Sequence, residues 1–227
     1  ALPIKFTENV ISCLTDLPSD CILADITSTK QQPLASMMAV HNGPVLGLHP
    51  MFGPDIPSLV KQVVVVCHGR HSEQYQWLLD QVLIWGSILQ YTSAKEHDHA
   101  MTFIQVMRHF CSFVFGSHLA GENPDLQQLI GLSSPIYRLE LAMVGRLFAQ
   151  DPALYADIIF DNKDSLTLLT EFSVKFNQAL SLVKSHDKET FIKQFRDIDT
   201  WFGDYSQQCL VDSKKLLLKA DDDRTWG

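Results

Sequence analysis

Residues 21–30 read Cys21-Ile22-Leu23-Ala24-Asp25-Ile26-Thr27-Ser28-Thr29-Lys30, and residues 43–50 read Gly43-Pro44-Val45-Leu46-Gly47-Leu48-His49-Pro50. Each holds a short apolar run, at 21–26 and 44–48, and a helical pattern over 32–40 lies between them. Short apolar runs bounded by turn residues are buried strands. Strands that alternate with helices build an open α/β sheet, here expected to be parallel. Working outward, 62–67 is a third strand, residues 72–85 a helix and 87–91 one more strand. The helix places Tyr75, Leu78, Leu79, Val82 and Trp85 at three- and four-residue steps.

From residue 96 onward the pattern is helical throughout. Residues 97–119 read as one long, mostly apolar helix. Ser134-Pro135 opens another, with serine as N-cap and proline at the first helical position, and Asp151-Pro152 repeats the device. Residues 165–183 and 188–218 give two more helices, and 221–224 a frayed tail. In the last helix Phe191, Phe195, Ile198, Phe202, Tyr205 and Cys209 form a seam, either intramolecular packing or a subunit interface. The chain thus divides into 1–95 and 96–227, joined by a short boundary, with a cleft expected between the halves.

Composition narrows the function. Of 227 residues 46% are hydrophobic, enough for a sizeable core, and the net charge of −8 gives no basic footprint for nucleic acid. No apolar run reaches membrane-span length, and no basic, apolar, small-residue leader is read in the N-terminal residues. The five dispersed cysteines fit a reducing compartment, so a cytoplasmic location is expected. Cys67, His68 and His71 lack an evident fourth ligand, and His97 and His99 diverge around Asp98 on a helix, so no metal is expected.

Three places could carry chemistry. Open α/β sheets bind ligands at the carboxyl ends of their strands. There the turn after residue 26 offers Thr27, Ser28 and Lys30, with Thr27 or Ser28 also able to cap the next helix. There too His49 is held extended by Pro50 before a rigid Gly/Pro-framed loop, which suits a catalytic histidine. In the long helix Asp98, Thr102, Gln105, His109 and Ser112 form a polar stripe, facing either a buried wet cleft or a polar core network. Finally, Arg138 and Arg146 share a broad, otherwise greasy helix face. Arg146 follows Gly145, and a guanidinium in open space suits a carboxylate held bidentate.

The runs His49-Pro50-Met51-Phe52-Gly53-Pro54-Asp55, Ser133 through Pro152, and Trp201-Phe202-Gly203-Asp204-Tyr205 resemble the prephenate dehydrogenases, in particular the dehydrogenase half of bifunctional chorismate mutase–prephenate dehydrogenases. The likeness extends from about Pro3 to the last helix. It implies a Rossmann-like nucleotide-binding sheet followed by a helical dimerisation domain. No Gly-x-Gly occurs in the chain, so the resemblance implies an N-terminally truncated sheet. The family reaction transfers a hydride from the ring carbinol carbon of prephenate to NAD. Carbon dioxide is lost and aromatic 4-hydroxyphenylpyruvate results, a step of tyrosine synthesis.

By resemblance, His49 is the catalytic base toward the ring hydroxyl, with Ser28 beside it. Arg146 binds the ring carboxylate, His109 takes part in sensing tyrosine as a feedback inhibitor, and Tyr155 approaches the ligand side chain. Arg138 and His97 join the substrate set, as does Gln105 from the stripe. Lys30 lies near the cofactor, and Ser28, Thr27 and Pro3 complete that set. The partners implied are prephenate and a second copy of the chain. The reading from another class is a non-catalytic dimeric module that binds prephenate or tyrosine.

Overall fold

The alternation of side chains along a strand assigns each residue to a face. In β2 (Val45–Pro50) and β3 (Val63–Arg70), Leu46, Leu48, Val64 and Val66 point one way. They pack on Tyr75, Leu79 and Val82 from the stretch holding a 3-10 turn (Ser72–Gln74) and α3 (Gln76–Ile84). The alternate residues Val45, Val65 and Cys67 pack on Ile11 of α1 (Thr7–Ser12) and on Leu34 and Met37 of α2 (Gln31–Val40). His49 belongs by period to this second face. The computed structural model describes residues 6–53 and 55–222, so residues 1–5 with Pro3 among them, Pro54 and residues 223–227 lie outside the described residues.

The sheet order is β1-β2-β3-β4, with β1 at Leu23–Asp25 and β4 at Ile88–Tyr91. The β1/β2 and β3/β4 pairs are parallel, but β2 and β3 run antiparallel. The expected all-parallel sheet is corrected here. The described residues between 51 and 62 hold no helix to serve as a crossover, so the chain folds back on itself instead.

The expected long helix 97–119 is three segments. α4 (Ala94–Met101) starts at a capping box, in which Ser93 Oγ accepts from Glu96 N at 3.2 Å and Glu96 Oε2 accepts from Ser93 N at 3.1 Å. A π-helical stretch (Thr102–Met107) follows, then α5 (Arg108–Glu122). Beyond a short α6 (Leu126–Leu132) come α7 (Pro135–Phe148), capped by Ser134 with Pro135 at its start, α8 (Pro152–Phe160) and α9 (Ser165–Lys184).

The expected last helix is two, α10 (Lys188–Phe202) and α11 (Asp204–Asp222), parted by Gly203 at φ 56 and ψ −140. Only glycine adopts that backbone readily. Asp221 and Asp222 are helical rather than frayed, while Asp223 and Arg224 lie outside the described residues.

The chain forms two compact units. One holds Ala1–Arg108 with Pro152–Ser165, the other His109–Asp151 with Leu166–Gly227. No helix of the described residues is long and apolar enough to cross a membrane.

Candidate functional site

Gly47 makes room for a buried charge. A side chain there would meet Lys30 Cδ at 3.3 Å and Asp25 Oδ1 at 3.4 Å. The Lys30 stem crosses β2 at this point, and its ammonium is fully buried. It donates to Asp25 at the end of β1 and to the Leu48 carbonyl at 2.7 Å. Burial lowers the Lys30 pKa in spite of the opposing Asp25 charge. Asp25 Oδ2 also accepts from Thr27 Oγ1 at 2.6 Å and from Thr27 N at 3.0 Å. Lys30 and Thr27, expected at the cofactor, therefore spend their polar side-chain atoms inward, under the turn. Ser28 is half-buried in the bend itself, and its hydroxyl makes no hydrogen bond among the described residues.

Neither Thr27 nor Ser28 caps α2. That task falls to Asp98 of α4, whose Oδ1 accepts from Lys30 N at 2.7 Å and Oδ2 from Gln31 N at 2.9 Å. A carboxylate at a helix start satisfies orphan N–H groups and suits the local dipole. The same Oδ1 lies 2.8 Å from Nδ1 of His97. The other nitrogen of that ring, Nε2, lies 2.8 Å from Nδ1 of His49. His97 is 1% exposed and His49 4%. Both His97 nitrogens are thus engaged, one by Asp98 and one by His49, and the ring has almost no surface.

The electrostatics of this cluster are set by burial. Desolvation, with His97 and Lys30 adding to it and Asp98 opposing, pushes the His49 pKa down to about 3, so the imidazole is neutral near neutral pH. Burial pushes Asp98 up, but hydrogen bonds from His97, Gln31 N and Lys30 N outweigh it and hold the carboxyl below its ordinary value. Cys67, on the same sheet face, is pushed up to about 11 by burial and stays a thiol. Among the described residues no three His, Cys, Asp or Glu side chains converge as a metal set would.

In the same unit the π-helical stretch carries Gln105, half-buried, between buried Thr102 and Val106. It belongs to the stripe foreseen in the sequence. A π turn shifts the buried face by a residue and is found often near functional sites. Tyr155, half-buried on α8, also belongs to this unit.

The second unit carries His109, Arg138 and Arg146. His109 is buried on α5. Arg138 donates from Nη1 to the Ser133 carbonyl at 2.6 Å, while Arg146 is exposed on α7 beside Gly145, which has open space around it. Along α10 and α11 the seam residues Phe191, Phe195, Ile198, Phe202 and Tyr205 are all exposed within the single chain, so they do not form an intramolecular seam.

A mixed α/β sheet with a helical unit is the architecture of solved prephenate and arogenate dehydrogenases. The prephenate dehydrogenase of Aquifex aeolicus, in complex with hydroxyphenyl propionate and NAD+, matches with a TM-score of 0.71 over 88% of this chain and 72% of that one, at 17% identity. The Synechocystis arogenate dehydrogenase matches with a TM-score of 0.66 over 94% and 76%, at 19% identity. At such identities the likeness is one of fold. Residues 1–87 match the nucleotide-binding domain of prephenate dehydrogenase and residues 93–197 its dimerization domain, and the chain belongs to the prephenate dehydrogenase family.

Two relatives are much nearer in sequence. The T-protein of Enterobacter agglomerans is 56% identical over 224 residues, which is 99% of this chain and 60% of that protein. The T-protein of Haemophilus influenzae is 51% identical over 223 residues, 98% of this chain and 59% of that protein. The chain thus spans about 60% of the length of these relatives.

Proposed function

We propose that the chain is the dehydrogenase portion of an enzyme that converts prephenate to 4-hydroxyphenylpyruvate in tyrosine synthesis. The observation that carries this reading is a neutral, buried His49 at the carboxyl end of a sheet strand in a prephenate dehydrogenase family chain. A base must be unprotonated to act, and this one is held so by burial. The aligned T-proteins, identical at more than half of the positions, support the same reading.

In this scheme His49 accepts the ring hydroxyl's proton as the carbinol carbon gives up its hydride. The ring–carboxylate carbon bond then breaks, carbon dioxide leaves, its bonding electrons complete the aromatic ring, and the phenolate oxygen so formed takes the proton back from His49. NAD, when bound, supplies the acceptor for the hydride. The turn 26–29, with the unengaged Ser28 hydroxyl, suits it, since sheets of this kind bind nucleotides at strand ends. Lys30 and Thr27 act from beneath, by fixing the shape of that turn. Arg146 offers its exposed guanidinium to the ring carboxylate, and Arg138, Gln105 and Tyr155 complete the substrate set. Since aromatisation drives the decarboxylation, what the protein must supply is orientation and help at the hydroxyl.

The functional division we propose places a partial nucleotide-binding domain at 1–95 and a substrate-binding, dimerisation domain at 96–227. The break between the two family matches, at 87 and 93, supports it. A homodimer through the helical domain is supported by that domain's family description and by the exposed apolar row on α10 and α11. Tyrosine as a feedback inhibitor, sensed through His109, and a cytoplasmic location, supported by five unpaired cysteines, complete the reading.

The test is direct. The full-length protein carrying this chain, given prephenate and NAD, is expected to form 4-hydroxyphenylpyruvate and NADH in equal amounts. Binding of prephenate or tyrosine without turnover would instead favour a non-catalytic module.

A further inference from the structure

The His97 ring has one neighbour at each nitrogen, and those neighbours decide where its proton sits. An ionised carboxylate only accepts hydrogen bonds, so Asp98 requires a proton on His97 Nδ1, 2.8 Å away. A neutral ring protonated there has its lone pair on Nε2. His49 Nδ1, 2.8 Å from that lone pair, must then carry a hydrogen itself. A neutral His49 with Nδ1–H has its remaining lone pair on Nε2. The carboxylate also accepts the N–H groups of Lys30 and Gln31, so it cannot turn away from His97 without uncapping α2.

We propose, on the reading of His49 as the base, that Asp98 and His97 are positioning residues. They lock His49 in the Nδ1–H form, keep Nε2 as the proton acceptor, and let His97 take over the Nδ1 proton once Nε2 is protonated. The bonds balance. The substrate O–H breaks and His49 Nε2–H forms; His49 Nδ1–H breaks and His97 Nε2–H forms. The positive charge ends on His97, whose Nδ1–H faces Asp98. The groups that bear on His49 are Lys30 ahead of α2 and His97 and Asp98 on α4, while β3 presents Val65 opposite it. A cation on His49 would sit in a dry site near the Lys30 ammonium. One ring further on, it rests against a carboxylate.

The experiment is nitrogen-15 NMR of the histidine rings in the full chain at pH 8, with the His49 signals identified by their loss in His49→Gln. The expected result is a protonated Nδ1 and an unprotonated Nε2 at His49. In Asp98→Asn and in His97→Phe the ring is expected to move toward the Nε2–H form that predominates in free histidine side chains. In the full-length enzyme both variants are expected to lower kcat about 100-fold or more while KM stays within about threefold, and Asp98→Glu should recover part of the loss.

A wild-type His49 carrying its proton on Nε2 overturns the proposal, as does an Asp98→Asn chain with an unchanged tautomer. The predicted tautomers without any prephenate oxidation would uphold the positioning role and remove the activity assigned above.

Discussion

The Lys30 ammonium donates to the Leu48 carbonyl at 2.7 Å, one residue before His49, so the proposed base is anchored from a neighbouring turn through the strand backbone. The cation is paired with Asp25 and fully buried, with the bare Gly47 leaving space for its stem. Removing one partner of a buried pair strands the other charge. Lys30→Met is expected to destabilise the chain by about 3–5 kcal/mol, measured by urea unfolding. Asp25→Asn combined with Lys30→Met should cost clearly less than Lys30→Met alone, because no unpaired charge remains. A Lys30→Met chain as stable as the parent would contradict the buried pair.

The turnover prediction separates chemistry from binding. His49→Asn is expected to leave KM for prephenate nearly unchanged and to lower kcat by about 100- to 10,000-fold. Arg146→Gln should raise KM by about 10- to 100-fold, the loss of a charge-assisted hydrogen-bond pair. Steady-state kinetics of the full-length protein decide both. An unchanged kcat in His49→Asn would remove the base from the scheme.

Stability should fall in acid for an identifiable reason. The folded His49 has a pKa of about 3, against about 6.5 when unfolded. Between those values the unfolded chain binds a proton that the folded chain refuses, so stability drops as pH falls from about 6.5 toward 3. Asp98, also depressed in the fold, works in the same direction, because its stabilising hydrogen bonds are lost when it is protonated. Unfolding free energies measured from pH 7 to pH 4 should decline, and His49→Asn should flatten that decline. An equally steep slope in the variant would assign the acid sensitivity elsewhere.

Local patterns were legible in the sequence wherever the cause was local. The runs at 45–48 and 63–67 became strands because their residues are buried on both faces, and Ser134-Pro135 caps α7 as its chemistry requires. His49 stood out through its place between a strand and a Pro/Gly loop. What escaped depends on distance or on competition between signals. The Asp98 cap on α2 joins residues 68 positions apart, and no spacing rule reaches across that gap. The inward turn of Lys30 rests on the missing side chain of Gly47, which a strand pattern merely tolerates. The antiparallel step from β2 to β3 follows from a loop with no helix to cross over, a signal that the strand pattern overrode.

Gly203 is the instance where two sequence signals competed, and the backbone identifies the winner. The apolar seam from Phe191 to Tyr205 argues for an unbroken helix, while a glycine followed by an aspartate argues for a stop and a new start. At φ 56 and ψ −140 the glycine stops α10, and Asp204 begins α11 in the first turn, where an acidic side chain is favoured. A side chain at that backbone is strained even though no atom lies within 4 Å of it. Gly203→Ala is therefore expected to cost about 1–3 kcal/mol. Gly145→Ala makes the contrast, since it lies inside α7 with open space at its Cβ and should stabilise by about 0.5–1 kcal/mol. Thermal unfolding of the two variants should move in opposite directions. If Gly203→Ala matched or exceeded the parent, the residue would sit in an ordinary helical turn, and α10 and α11 would be one helix after all.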